Sequence, residues 1–161
     1  LAYNNASLVT LFGDDASTSA TLVENAVGLS DGVVTNHPNI VTFWKTRARV
    51  FYTLSSVDKT YFQQAIVSLE KAKVLAPTDA KILYNLAVLY GQNEEFDKAI
   101  AMLEETVKLK PDYQDAYYAL GLFYNEKGDR AKAIAQMEFI LEKIASDDAD
   151  ALDRLTEWRG Y

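Results

Sequence analysis

The sequence predicts an all-α fold, a solenoid of stacked helical pairs with about nine helices in all. Three observations carry this expectation. The stretch from Ala80 to Pro111, AKILYNLAVLYGQNEEFDKAIAMLEETVKLKP, reads as two amphipathic helices joined by a short polar turn and closed by a proline. The following segment, Gln114 to Ala145, repeats it: Leu83, Leu86, Ala87 and Tyr90 recur as Tyr117, Leu120, Gly121 and Tyr124, and Ala99 and Leu103 recur as Ala133 and Met137, every pair 34 residues apart. All three prolines, Pro38, Pro77 and Pro111, fall where a unit ends, and Ala145 holds the same place one period later. Each helical pair exposes an apolar stripe that it cannot bury alone, so copies stack and bury it between neighbours. The small slots Ala87, Gly121, Ala99 and Ala133 let backbones approach where helices cross.

The order of aromatic or large residue, Leu, small residue, Tyr, then Ala, large apolar residue and Pro resembles the tetratricopeptide repeat (TPR). In one unit every slot except the first tryptophan is filled by a similar residue. The resemblance covers residues 80–147 and implies a right-handed α-α superhelix, the TPR solenoid.

The elements follow in order. Residues 1–40 read as a degenerate helical pair capping the N-terminal end. Leu8, Leu11 and Phe12 form one apolar face, Gly13-Asp14-Asp15 a stop followed by cap signals, and Leu22, Ala26 and Leu29 a second face. Asn36-His37-Pro38-Asn39 is a turn, since proline restricts its predecessor and suits a first helical turn. Residues 41–79 are a unit with five extra residues, because the proline spacings are 39, 34 and 34. Trp44, Ala48 and Phe51 fill the slots of its first helix, and Phe62, Ala65, Leu69 and Ala72 those of its second. The first helix is expected to run past Leu54, with the turn around Ser56 to Lys59. Residues 80–113 and 114–147 are regular units. Residues 148–161 are a capping helix opened by Asp147-Asp148, burying Leu152, Leu155 and Trp158 and facing solvent with Asp150, Asp153, Arg154, Glu157 and Arg159.

Composition narrows the function. A formal charge of −7 and a pI near 4.7 argue against a nucleic-acid backbone or an anionic membrane surface as principal partner. The apolar runs fall short of the roughly 20 residues of a membrane span, so no direct membrane insertion is expected of this chain. It begins at Leu1 rather than methionine, as an excised or processed piece of something longer does. With no cysteine and one histidine, His37 in a proline turn, neither a thiolate metal site nor a Cys-His pair can form. The paired carboxylates Asp14-Asp15, Glu94-Glu95, Glu104-Glu105 and Asp147-Asp148 sit at helix starts or on polar faces, where acidic residues cap and solvate. No catalytic residue, metal or cofactor is expected.

What remains is surface. The TPR resemblance implies that the first helices of successive units line a concave groove for a protein or peptide partner. By that alignment Lys45, Arg49 and Tyr52 come from the first full unit, Lys81, Tyr84, Asn85 and Val88 from the second, and Asp115, Tyr118, Leu122 and Asn125 from the third. Some family members hold a peptide's C-terminal carboxylate with lysines, asparagines and an arginine. Lys45 and Asn85 match that pattern, Arg49 replaces an asparagine, and Asp115 and Ala119 stand where two basic residues belong, so the clamp is incomplete. A second resemblance joins NHPNIVTFWKTRARVFYTLSSVD, LAPTDAKILYNLAVLY and DAYYALGLFYNEKGDRAKAIAQMEFILEKI to the soluble repeat region of bacterial O-antigen ligase or polymerase-like membrane proteins. That likeness implies an alternative role, as an extracytoplasmic accessory domain attached to membrane spans upstream, in place of a cytoplasmic scaffold.

Overall fold

The computed structural model describes residues 1–11 and 16–160. Among them are nine α-helices and no strand, the all-α class expected. The helices fall into two compact units, Leu1–Pro77 and Thr78–Tyr161. The stop expected at Gly13-Asp14-Asp15, with Phe12 before it, lies outside the described residues.

The first unit contains α1 (Ala2–Leu11), α2 (Ala16–Asn36), α3 (Val41–Leu54) and α4 (Thr60–Leu75). Helix α1 packs on both α2 and α3, and α3 on α4. Its core gathers Ala6 and Val9 from α1, Ala26 from α2, and Val50 and Leu54 from α3. The apolar faces read from the sequence need correcting here. Leu8 is 36% exposed while Ala6 and Val9 are buried, because a helix wedged against two neighbours buries the row between them rather than its most hydrophobic residue. On α2, Leu22 and Ala26 pack inward but Leu29 is exposed. Ser30, four residues beyond Ala26, is buried in its place, its hydroxyl donating to the Val27 carbonyl at 3.0 Å.

Nor does α3 run past Leu54: the five extra residues of the first interval are shared out. Helix α3 has 14 residues against 13 in α5, and α4 has 16 against 14 in α6. The turn spans residues 55–59 where the next pair uses 93–95. Helix α4 thereby begins at Thr60, and Tyr61 packs on the core of this unit with its ring 5.6 Å from that of Phe51. Between them Ser56 to Thr60 are exposed.

One core position of α3 carries a charge. Arg47 occupies the slot filled by Leu86 and Leu120 in the later pairs. Its guanidinium lies 4.3 Å above the Phe51 ring, its Nε donates to Asp31 Oδ1 at 2.9 Å, and its Nη1 donates to Ser68 Oγ at 2.6 Å. Ser68 is fully buried and its own hydroxyl donates to the Gln64 carbonyl at 2.6 Å. A buried charge is tolerated only when paired and hydrogen-bonded. These contacts from α2, α3 and α4 supply that.

The second unit contains α5 (Ala80–Gln92), α6 (Phe96–Leu109), α7 (Gln114–Glu126), α8 (Arg130–Phe139) with a π-helical last turn over Ile140–Ile144, and α9 (Ala149–Arg159). Asp79, Asp129 and Asp148 cap α5, α8 and α9, each accepting backbone N–H bonds through its carboxylate. The core runs through Ala87, Leu103, Leu120, Tyr124, Met137, Ile140, Leu155 and Trp158. The small slots are what the repeat requires: Ala87, Ala99 and Ala133 have no exposed surface. A Cβ built on Gly121 would lie 2.2 Å from Met137 Cε and 3.3 Å from the Ala133 carbonyl oxygen. On α9, Leu155 and Trp158 are buried as expected, whereas Leu152 is 46% exposed. Ala151, wholly buried, takes its place, since α9 turns the row 151, 155, 158 toward α8.

Candidate functional site

The sequence-predicted groove residues fall in both units. In the first, all three stand on α3. Arg49 is exposed, its guanidinium 4.0 Å above the ring of Tyr3 on α1. Tyr52 is 44% exposed, its ring 6.2 Å from that of Phe62, and Lys45 is half-buried. Arg47, the residue of this helix with the most specific contacts, escaped sequence reasoning. A charged residue in a leucine slot was the available signal.

In the second unit α5, α7 and the start of α9 line an open pocket of about 420 Å³. Tyr84 and Val88 from α5, and Tyr118 and Leu122 from α7, line it, with Asp115 in the first turn of α7. Lys81, Asn85 and Asn125 share those helices but do not line the pocket. The pocket also holds residues that sequence reasoning missed: Gly91, Gln92, Gln114, Phe123, Asp148 and Asp150. Gly91 could have been suspected as a second small residue one turn beyond Ala87. A Cβ on it would stand 2.1 Å from Phe123 Cζ, so the absence of a side chain admits that ring beside α5. Phe123 is braced from α6 by Phe96, ring centroids 5.9 Å apart.

The polar groups of the pocket are held in place from within the unit. Gln114 Nε2 donates to Asp148 Oδ2, and Asp148 Oδ1 accepts from the Ala151 N–H at 2.6 Å, so one carboxylate both caps α9 and ties it to α7. Arg154 on α9 donates from Nε to the Tyr118 hydroxyl at 3.3 Å and from Nη1 to Glu157 at 2.7 Å. Tyr84 leans on Tyr113, ring centroids 5.1 Å apart. Burial first, and then the Asp115 charge, pushes both phenols above the ordinary tyrosine range. Asp115 and Asp150 are exposed. Such a pocket, with apolar and aromatic walls and a few positioned polar groups, is suited to receive a side chain of another molecule. Among the described residues no group of His, Asp and Glu is arranged to hold a metal ion, and no helix is long and apolar enough to cross a membrane.

Comparison with known proteins agrees with the fold. Residues 84–152 match the family model of the tetratricopeptide repeat. A crystal structure of MamA is similar at 28% identity with a TM-score of 0.73, covering 91% of this chain and 84% of that one. TTC0263, a thermophilic TPR protein of Thermus thermophilus, is similar at 21% identity with a TM-score of 0.66, covering the whole of both chains. The first TPR of Spaghetti (RPAP3), bound to the HSP90 peptide SRMEEVD, is similar at 19% identity with a TM-score of 0.59, covering 72% of this chain and 93% of that one. The last two likenesses are of fold alone. No curated protein sequence matches the chain. The resemblance to O-antigen ligase-like proteins finds no support in these matches.

Proposed function

We propose that the protein is a protein-interaction module, without catalysis of its own, that binds a peptide or protein segment on the face where α5 and α7 present Tyr84, Val88, Tyr118 and Leu122. The observation that carries this reading is the 420 Å³ pocket between α5, α7 and α9, which unites five of the groove residues expected from the sequence, Asp115 among them. A protein of the same fold holds a peptide. Large aromatic side chains with polar neighbours dominate binding energies at such surfaces. Lys81, Asn85 and Asn125 then border the path of the bound segment, and Lys45, Arg49 and Tyr52 offer a further contact surface on α3. Selection from a random peptide library tests the proposal. Wild-type protein is expected to enrich binding peptides, and the double variant Tyr84→Ala, Tyr118→Ala to lose them by at least about tenfold in affinity, with helical circular dichroism unchanged. Equal binding by the double variant would move the site elsewhere.

A further inference from the structure

We propose that the pocket between α5, α7 and α9 selects a partner segment by a lysine or arginine side chain. This specificity rests on the peptide-binding reading above. The argument begins with what the pocket offers a guest. Its walls include the phenol rings of Tyr84 and Tyr118, and the negative face of an aromatic ring attracts an ammonium or guanidinium group, more strongly once water is displaced. Asp115 from α7 and Asp150 from α9 line the same pocket and are exposed, where they can meet a charge arriving from solvent. Asp148 lines the pocket as well, already engaged by Gln114 and the Ala151 N–H, and adds a third negative charge without needing a new hydrogen bond.

Arg154, which reaches the pocket's Tyr118, is itself paired. The Arg154 guanidinium pairs with Glu157 at 2.7 Å and spends its Nε on the Tyr118 hydroxyl, so its charge is balanced on α9 itself. No lysine or arginine is among the lining residues. A carboxylate guest would therefore meet three like charges, whereas a basic side chain would meet complementary charge and two rings. The net charge of −7 acts in the same direction at longer range, steering basic segments toward the chain. The aliphatic stem of a lysine or arginine would lie against Val88 and Leu122 while its head reaches the carboxylates.

The test uses the full chain and two probes. The first is the random peptide library, expected to yield sequences with a recurrent lysine or arginine. The second is a labelled synthetic peptide taken from that selection, made in three versions with Arg, Gln or Glu at the recurrent position. The Arg version is expected to bind about tenfold more tightly than the Gln version, and the Glu version more weakly still. Raising the salt concentration should narrow the gap. In the double variant Asp115→Asn, Asp150→Asn the preference for Arg over Gln should shrink to about threefold or less. Both positions are exposed, so the fold is expected to tolerate the change, and circular dichroism checks this. Selected peptides without a basic residue that still depend on Tyr84 and Tyr118 would overturn the specificity and leave the interaction module standing. A library that yields no binder would overturn both.

Discussion

The pair α3–α4 in the first unit and the pair α5–α6 in the second solve the same joint with different turns. In α5–α6 the turn is only residues 93–95, and Glu94 is forced to φ 60°, a left-handed conformation that side chains disfavour. In α7–α8 the equivalent position, 34 residues on, is Gly128 at φ 80°, which a glycine adopts without that cost. The turn of α3–α4 spans residues 55–59 and contains no left-handed residue. Instead the N–H groups of Val57 and Asp58 donate to the Leu54 carbonyl, at 2.9 and 3.1 Å, and the Asp58 carboxylate accepts from the Thr60 N–H at 2.8 Å. The longer turn thus avoids a strained residue, and the helix it launches begins early enough to seat Tyr61 on the core. The second contrast lies in the slots. Leu86 and Leu120 stand where the first unit has Arg47, and Tyr124 stands where it has Phe51. A leucine slot needs only apolar neighbours, whereas Arg47 needs Asp31 and Ser68 in register with it.

The sharpest way to break this comparison is at Leu54, the last residue of α3 and fully buried. Leu54→Ala should destabilise the first unit by about 2–5 kcal/mol. Urea denaturation followed by circular dichroism measures it, and an unchanged midpoint would mean that the residues flanking the longer turn do not share the core.

Tyr124 sharpens the contrast of slots. Its phenol donates to Glu104 Oε1 at 2.7 Å, and burial first, with this bond second, pushes its pKa up to about 12. Tyr124→Phe, which makes the slot like that of Phe51, should cost about 0.5–1.5 kcal/mol at neutral pH. The raised folded pKa makes the protonated phenol a stabilising group below its unfolded value of about 10. That contribution is lost as pH rises from about 10 toward the folded value of about 12. The stability of the wild type should accordingly fall more steeply across this range than that of Tyr124→Phe, and parallel pH profiles would remove the hydrogen bond from the account.

The smallest effect is expected at the turn itself. Glu94→Gly should relieve the left-handed strain and raise stability by up to about 1 kcal/mol, the gain reduced by glycine's greater freedom in the unfolded chain. Thermal unfolding checks it, and a clear loss would show that the Glu94 side chain matters more than its backbone.

Much of the second unit was legible from residues alone, because its period of 34 repeats both the small and the large slots and each cap is a local event. Of the three caps only the start at Asp147-Asp148 was read, although Asp79 and Asp129 also stand just before their helices and a capping carboxylate bonds a backbone only two or three residues away. The pocket was half legible. Tyr84, Val88, Asp115, Tyr118 and Leu122 were expected from the alignment that the tetratricopeptide resemblance implies, whereas Asp148 and Asp150 reach it only because α9 packs against the preceding pair. In the first unit the positions of Leu8 and Leu29 were misread, since an apolar residue fits several faces of a helix and only the placement of neighbours selects one.

The sequence by itself determined the helices, their pairing and the polarity of their ends, since these depend on contacts between residues close along the chain. Only the tertiary structure decided which extra residues of the first interval become helix and which become turn, how Arg47 is paired by Asp31 and hydrogen-bonded by Ser68 from two other helices, and that Gly91 admits Phe123. The reason is physical. Each of those outcomes joins side chains separated by many residues, and whether a charge is satisfied or a ring fits depends on the shape of the space that several helices enclose, which no single stretch of sequence specifies.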